Sequence, residues 1–192
     1  MFEELSPPYK TIVADPPWEE ITGGATTRGP SGELTLGSGA RRRTFPYSTM
    51  AVEEITVLPV QELAAKDAHL YLWTTNRFLE DAYNIARVWG FVPSKPLIWC
   101  KPPHGGFMGQ PYGGSSVEFC LYAKRGSLAA TGNAGRQWWE WPRGAHSVKP
   151  GGFMDIVEQV SPGPYLELFA RQPRLGWDAW GFGHETPKVQ AS

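Results

Sequence analysis

This sequence has few cysteines, no long apolar run and almost no net charge. Its two cysteines, Cys100 and Cys120, lie inside apolar strand-like runs, which predicts buried structural thiols rather than a disulfide or a metal site. No apolar run approaches the roughly 18 residues that a membrane helix needs, so we predict no membrane contact. The 18 basic and 19 acidic residues give a net charge of −1, which excludes a generally basic, sequence-blind nucleic-acid binder.

The sequence also lacks the spacing of a metal site and the pattern of a signal peptide. The four histidines, at positions 69, 104, 146 and 184, have no metal-ligand spacing with the cysteines, so no metal site is predicted. The first ten residues lack the charged and then apolar pattern of a signal peptide. Together with the scarcity of cysteine, this favours a cytoplasmic protein.

Strand-like runs alternate with helix-like runs, which predicts an α/β protein with a single domain over residues 1–192. The predicted strands are Thr11–Asp15, His69–Trp73, Pro96–Cys100, Val117–Ala123 and Tyr165–Phe169. Runs such as "AHLYLW" are apolar on both faces, as buried parallel strands are. Apolar stripes predict helices over Asn76–Trp89 and from about Gly152 to Gln159.

Two long segments show no apolar periodicity. Residues 21–44 are rich in Gly, Thr, Ser and Arg, and residues 101–116 read "KPPHGGFMGQPYGGSS". Loops of this length in a compact domain are usually functional or disordered, so we predict two mobile loops that contact a substrate. Near the end of the first segment, Arg41, Arg42 and Arg43 indicate either a positive patch for nucleic acid or simply a solvated loop.

The most informative stretch is "DPPW" at Asp15–Trp18, directly after an apolar strand. Prolines cannot sit inside a central strand, so the strand must end at Asp15 and leave the following carbonyls unpaired. Ligands bind at the carboxyl ends of parallel strands. A carboxylate, free carbonyl acceptors and an exposed indole face suit a flat group that carries amino protons. The alternative is an accidental turn, because Asp-Pro and Pro-Pro are turn formers.

The stretch resembles the catalytic motif of amino-directed methyltransferases. The wider pattern is similar to the family of the mRNA adenosine methyltransferase catalytic subunit (MT-A70-like) and its bacterial and phage relatives. Further matches follow in order: "FPYSTM", "LYLWTTN", "WGF" before "IWCK", "HSVKP", and "PGPYLELFAR" before "GWDAWG". The resemblance implies a Rossmann-like, seven-stranded, mostly parallel sheet in which the catalytic motif precedes the main cofactor-binding segment, a permuted order.

The resemblance also implies the chemistry. S-adenosylmethionine would be the methyl donor and the exocyclic 6-amino group of adenine the acceptor. The implied catalytic residues are Asp15, Pro16, Pro17 and Trp18. The Asp15 carboxylate and the Pro16 carbonyl would accept hydrogen bonds from the amino group, and Trp18 would stack on the base. Tyr47 in "FPYSTM" matches a position beside the target base; its alternative is a core aromatic.

Four residues are implied to bind the cofactor: Asp15, Lys149, Glu167 and Arg171. A carboxylate such as Glu167 suits ribose hydroxyls, and Lys149 suits the methionine carboxylate or a sugar oxygen. Alternatively, Lys149 is a surface residue and Arg171 a salt-bridge partner. Relatives continue Trp-Gly-Asn where this chain has Phe182 after Trp180-Gly181, so an expected amide contact to the cofactor is absent or supplied elsewhere.

We therefore predict an adenine-specific DNA methyltransferase of bacterial or phage type. RNA adenosine methylation is the second reading, and a catalytically silent scaffold that binds a partner is the third. The sequence leaves the oligomeric state open, with a homodimer or heterodimer compatible. It also leaves open whether Trp138, Trp139 and Trp141 stack on bases, contact a partner protein or serve the fold alone.

Overall fold

The computed structural model of the chain describes residues 5–19, 21–22, 26–28, 34–36, 41–42, 48–102, 116–142 and 149–181. Its eleven strands are β1 Tyr9–Ala14, β2 Ile21–Thr22, β3 Thr26–Arg28, β4 Leu34–Leu36, β5 Arg41–Arg42, β6 Ala64–Thr74, β7 Val92–Cys100, β8 Val117–Arg125, β9 Trp138–Glu140, β10 Tyr165–Leu168 and β11 Trp177–Trp180. The helices are α1 Val52–Thr56, α2 Val60–Leu63, α3 Leu79–Val88 and α4 Gly151–Val160, with a 3-10 turn over Asn76–Phe78 before α3. None of the helices in these ranges is long and apolar enough to cross a membrane.

Seven strands form one sheet in the order β11-β10-β1-β6-β8-β7-β9. Strand β8 runs antiparallel to both of its neighbours, and the other strand pairs are parallel. The prediction of a seven-stranded, mostly parallel sheet is therefore confirmed. Strand β1 comes before both of its sheet neighbours in the chain and lies inside the sheet, which agrees with the expected permuted order.

The carboxyl ends of three parallel strands meet at one edge of the sheet. Ala14, the last residue of β1, is in register with Leu72 of β6 on one side and Leu168 of β10 on the other. The antiparallel β8 begins at the same edge, since Phe119 pairs with Thr74. This edge is called the carboxyl edge below.

Alternate residues of the central strands feed two cores, one on each face of the sheet. Ile12 and Leu70 belong to a cluster shared with α1, α2 and α3, whereas Val13 and Tyr71 belong to a cluster shared with α4. Helix α4 contributes Phe153, and burial of such a side chain stabilises the fold by about 1.5–3 kcal/mol. The strands are thus apolar on both faces because helices cover both faces.

Both predicted helices are present, with small changes at their ends. The predicted Asn76–Trp89 helix divides into the 3-10 turn and α3, and the apolar stripe predicted for it is buried. Helix α3 ends at Val88, and Gly90 follows two residues later with a φ of 82°, which suits glycine. The Gly152–Gln159 prediction corresponds to α4.

The structure describes four short strands of the first long segment and only the ends of the second. In the first, β2 pairs with β5 and β3 pairs with β4, both antiparallel, so the described parts of residues 21–44 are short ribbons rather than irregular loop. In the second, residues 103–115 lie outside the described residues. Its two ends are joined, because the Lys101 N–H donates to the Ser116 carbonyl over 2.7 Å.

The three tryptophans at positions 138, 139 and 141 lie in, or directly after, a strand that was not predicted. Trp138 and Trp139 lie in β9, which pairs with β7 at the end of the sheet. The rings of Trp139 and Trp141 stack with centroids 5.7 Å apart, and the Trp99 indole donates to the Trp141 carbonyl over 3.0 Å. Trp138 is half exposed. Trp139 and Trp141 thus have structural contacts, whereas a role in stacking bases or binding a partner stays a prediction.

Candidate active site

The Asp-Pro-Pro-Trp segment leaves β1 at the carboxyl edge in a turn fixed by hydrogen bonds. The Asp15 N–H continues the ladder by donating to the Leu168 carbonyl over 3.3 Å. The Pro16 carbonyl accepts the Trp18 N–H over 2.9 Å, and the Pro17 carbonyl accepts the Met50 N–H over 2.8 Å. The expectation that these carbonyls are unpaired is therefore wrong. Each carbonyl oxygen has a second lone pair, so the Pro16 oxygen keeps the capacity to accept one more donor.

Trp18 lies in the core rather than on the surface. Its side chain is 7% exposed, its ring stacks on Phe78 with centroids 5.1 Å apart, and its indole N–H donates to the Trp73 carbonyl over 3.0 Å. The expected exposed indole face is thus wrong, because Phe78 and Trp73 come from distant parts of the chain that sequence patterns do not place. Trp18 anchors the turn to β6. Stacking of Trp18 on a base stays a prediction.

Charged side chains of alternating sign form a row along the carboxyl edge, Asp15–Lys149–Glu118–Lys101, called the charge row below. The Lys149 ammonium lies 2.7 Å from Asp15 Oδ1 and 3.5 Å from Glu118 Oε2. Glu118 also forms an ion pair with Lys101. Lys149, predicted from the sequence, therefore contacts the predicted catalytic carboxylate and is not a free surface residue.

Sequence reasoning missed Glu118 and Lys101. A signal existed, because Glu118 is the only charged residue in the apolar run "VEFCLYA", and a lone acid in a buried strand needs a partner. Lys101 follows directly after β7, beside the first residues of β8. Both lysines also lie near indole rings: the Lys149 nitrogen is 5.2 Å from the Trp73 ring centroid and the Lys101 nitrogen 4.6 Å from that of Trp99.

The charge row shifts the pKa values of Lys149 and Glu118. Burial alone would lower the pKa of Lys149, but the neighbouring Asp15 and Glu118 carboxylates outweigh it and hold that pKa above its ordinary value. Burial alone would raise the pKa of Glu118, but Lys149 and Lys101 outweigh it and lower that pKa. Lys149 is therefore protonated and Glu118 ionised at neutral pH.

A cleft opens between the ends of β1 and β10, where the strand order of the sheet reverses. Its volume is about 210 Å³. Such a switch point is where open α/β sheets bind ligands. The lining residues come from the ends of three strands, the start of α4 and the segment after β10: Val13, Asp15, Trp73, Lys149, Pro150, Gly151, Met154, Glu167, Phe169, Arg171, Gln172, Pro173 and Arg174. All four predicted cofactor-binding residues lie in this one cleft, although their role in binding stays a prediction.

Glu167 is the most strongly perturbed acid of the cleft. Burial and the charge of nearby Asp15 raise its pKa to about 7, against a smaller opposing effect of Arg174. This carboxyl thus changes protonation near neutral pH, and a ligand whose hydroxyls donate to it would favour the ionised form.

The structure describes only some of the residues that are predicted to contact the substrate. Tyr47 and Arg43 lie outside the described residues, and Arg41 and Arg42 are described only as the backbone of β5. Their roles stay predictions. Within the described ranges, no group of three or more His, Cys, Asp or Glu side chains is arranged to hold a metal ion. Cys100 and Cys120 are free thiols.

A mostly parallel, permuted sheet with acids and cations at its switch point is the Rossmann-like arrangement expected for an S-adenosylmethionine-dependent methyltransferase. Comparison with known proteins makes the assignment specific. The family model named MT-A70 matches residues 9–183, so the chain belongs to the MT-A70 family. MT-A70 proteins methylate adenine in DNA or RNA with S-adenosylmethionine as donor.

Relatives occur among both bacterial and eukaryotic proteins. The chain is 31% identical over 192 residues to the type II methyltransferase M.MunI of Mycoplasma sp, covering 95% of this chain and 80% of that protein. It is 27% identical over 182 residues to a probable N(6)-adenosine-methyltransferase of Oryza sativa, covering 90% of this chain and 22% of that protein. It is 24% identical over 201 residues to the human N(6)-adenine-specific methyltransferase METTL4, covering 90% and 37%. The chain thus spans most of the bacterial relative and a minor part of these eukaryotic ones.

Proposed function

We propose that this chain transfers a methyl group from S-adenosylmethionine to the exocyclic 6-amino group of adenine in DNA. The observation that carries the proposal is the position of Asp15, which is held by Lys149 at the mouth of the cleft that also contains Glu167 and Arg171. Asp15, which is predicted to bind the amino group of adenine, therefore lies beside the residues that are predicted to bind the methyl donor.

The amino group of adenine is a weak nucleophile because its lone pair is delocalised into the ring. Two acceptors at the end of β1 suit its two protons: the Asp15 carboxylate, whose other oxygen binds Lys149, and the Pro16 carbonyl with its second lone pair. Hydrogen bonds accepted from the amino group would stabilise the positive charge that develops on nitrogen as the new N–C bond forms. The rigid turn holds both acceptors in place before the substrate arrives.

The cleft fits S-adenosylmethionine, which when bound supplies an electrophilic methyl group on a sulfonium. Glu167 would accept hydrogen bonds from ribose hydroxyls, and Arg171 would bind the methionine carboxylate. Lys149 already contacts Asp15 and Glu118, so its contacts favour a role in orienting Asp15, with its third N–H left to reach the cofactor.

DNA is proposed over RNA because the type II methyltransferase M.MunI aligns along 80% of its length. RNA remains the second reading, since the fungal relative named N6-methyladenosine RNA methyltransferase is 26% identical over 201 residues. A silent scaffold has no need for the Asp15–Lys149 pair together with Glu167, so these residues count against it. A cytoplasmic location is part of the proposal.

The decisive experiment is mass spectrometry of nucleosides after the purified chain and S-adenosylmethionine are incubated with double-stranded DNA, single-stranded DNA and RNA in parallel. We expect N(6)-methyladenine in DNA. Asp15→Ala should abolish it while the fold and much of the cofactor affinity remain, and Glu62→Ala, which removes an exposed acid of α2, should leave it unchanged.

Each other outcome has a definite meaning. Product in RNA alone would replace the DNA reading with the RNA reading. Full turnover by Asp15→Ala would remove Asp15 from the mechanism. Cofactor binding without product on any substrate would point to a missing partner chain or to the silent, accessory role.

A further inference from the structure

The segment between β10 and β11 is tied to α4 by one arginine. Arg174 Nε donates to Glu158 Oε1 over 2.8 Å, and its Nη2 donates to Glu158 Oε2 over 2.9 Å. The same Nη2 donates to Asp155 Oδ1 over 2.6 Å. The Trp177 indole, at the start of β11, also donates to Glu158 Oε1 over 2.7 Å. Four hydrogen bonds to carboxylates therefore join residues 174–177 to the second and third turns of α4.

This connection matters because both of the segments that it joins line the cleft, and Arg174 itself is among the lining residues. Helix α4 and the residues just before it contribute Lys149, Gly151 and Met154, whereas the segment after β10 contributes Phe169, Arg171 and Gln172. Since a helix is rigid along its length, fixing Arg174 to Asp155 and Glu158 fixes the segment relative to the start of α4. Arg174 supplies three of the four hydrogen bonds of this connection, and the Trp177 indole supplies the fourth.

The segment also begins with a strained residue. Phe169 has φ of 67°, in the left-handed region that non-glycine residues rarely adopt. Such a conformation persists only where the surroundings hold it. Two contacts hold the chain after Phe169: the Ala170 N–H donates to the Trp180 carbonyl over 3.1 Å, and Arg174 binds the carboxylates of α4.

The ion pairs are too exposed to be needed for the fold itself. Asp155 is 70% exposed and Glu158 35% exposed, and exposed pairs stabilise proteins little. Their geometry is nevertheless specific, because the arginine binds Glu158 through two parallel hydrogen bonds. The hydrogen bond from Arg174 is the main reason that the pKa of Glu158 lies below its usual value, so the pair is intact at neutral pH.

We propose that Arg174, Asp155 and Glu158 form a clamp that orders residues 169–176 for cofactor binding. Arg174 is a positioning residue in this role: it sets where Arg171 and the backbone of the segment lie. The proposal rests on the proposed function, in which S-adenosylmethionine occupies the cleft.

The test is calorimetric binding of S-adenosylhomocysteine to the wild type, Arg174→Gln, Glu158→Gln and the double variant. Each single change should weaken binding roughly three- to tenfold, as expected when one or two side chains must be ordered on binding. The double variant should bind the ligand no more weakly than the single variants do, because both changes break the same pair.

Glu158 does not line the cleft, so the effect of Glu158→Gln cannot come from a lost direct contact between Glu158 and the ligand. Arg87→Gln, which removes an exposed arginine that binds Asn84 on α3, is the matched control.

Hydrogen exchange of the cofactor-free protein gives a second measurement that does not involve binding. Residues 169–176 should exchange faster in Glu158→Gln than in the wild type, while the central strands β1 and β6 should be unchanged. Wild-type binding together with unchanged affinity and unchanged exchange in the variants would overturn the clamp alone. A wild type that binds no cofactor would overturn the proposed function, and with it the role of the clamp in binding.

Discussion

At the scale of single residues, Lys149 is a largely buried lysine that pairs with two carboxylates. Its ammonium is the common partner of Asp15 and Glu118, and its side chain is 22% exposed. Removal of one partner from such a group leaves the others with uncompensated charge, which costs more than the pair itself contributes. Two carboxylates at the carboxyl edge would then repel each other.

We expect Lys149→Met to lower the free energy of unfolding by about 1–3 kcal/mol, less than for a fully buried pair because water reaches this edge. Urea denaturation measures the change. Lys124→Met, which removes an exposed lysine from the same strand as Glu118, should change stability by no more than about 0.5 kcal/mol. Equal effects of the two changes would show that the charge row does not stabilise the fold.

Glu167 makes stability depend on pH. Its pKa rises from 4.5 to about 7 on folding, so the folded state holds a proton that the unfolded state has lost in this interval. Stability from this group is therefore complete below pH 4.5 and is lost as the pH rises through about 7.

Glu167→Gln should remove this pH dependence. The variant should be more stable than the wild type at pH 8 and similar to it at pH 4.5, as measured by urea denaturation of the cofactor-free protein at several pH values. Cofactor affinity in the wild type should have the opposite trend and rise with pH towards 7, because ribose hydroxyls donate to the ionised form. A constant difference between the two proteins at all pH values would contradict the assignment.

At the scale of elements, long apolar runs were predictable and short edge strands were not. Strands β1, β6, β7, β8 and β10 follow from runs of apolar residues, and α3 and α4 follow from apolar stripes. Strands β9 and β11 have three and four residues, too few for a periodic signal, and they pair with the open edge of a neighbouring strand. The short helices α1 and α2 were missed because they too are short. Strand β10 is as short as β11, but it lies in the longer apolar run "YLELFA".

The site was predictable to a similar extent. Asp15, Lys149, Glu167 and Arg171 were named from the sequence because the motif and the family resemblance mark them. The burial of Trp18 and the partners Glu118 and Lys101 depend on contacts between distant parts of the chain. No local pattern reports such contacts.

Gly181 illustrates how an edge strand constrains one residue. A Cβ at this position would lie well inside van der Waals contact with the Ala170 carbonyl, just beyond the last β10–β11 pair. Gly181→Ala should therefore force the two strands apart and destabilise the protein by about 1–3 kcal/mol. Gly151→Ala meets nothing within 4 Å and, at the start of α4, should be neutral or slightly stabilising. Thermal unfolding of both variants would test the difference, and equal melting temperatures would contradict it.

At the scale of the whole molecule, the cleft joins parts that are far apart in the chain. Asp15 and Lys149 are 134 residues apart, and a ligand in the cleft contacts the ends of β1 and β10 as well as the start of α4. Cofactor binding should thus stabilise the fold as a unit. At a cofactor concentration of about 100 times Kd, the stabilisation is about 2.7 kcal/mol, or roughly 5–11 °C in Tm for a domain of this size.

A thermal shift assay with S-adenosylhomocysteine checks this expectation, with ATP at the same concentration as the control for any adenine nucleotide. The shift should be absent with ATP. Equal shifts with both ligands would mean that the cleft recognises only the adenosine part, and no shift with saturating S-adenosylhomocysteine would contradict cofactor binding.

The early position of β1 in the chain has a consequence for biosynthesis. On the ribosome this apolar strand emerges before both of its neighbours in the sheet, and the lysine that pairs with Asp15 follows 134 residues later. At about 5–20 residues per second, the strand waits on the order of ten seconds for its partners. During that time it is an exposed apolar surface that a chaperone can bind, and Asp15 acquires its partner only after Lys149 has emerged.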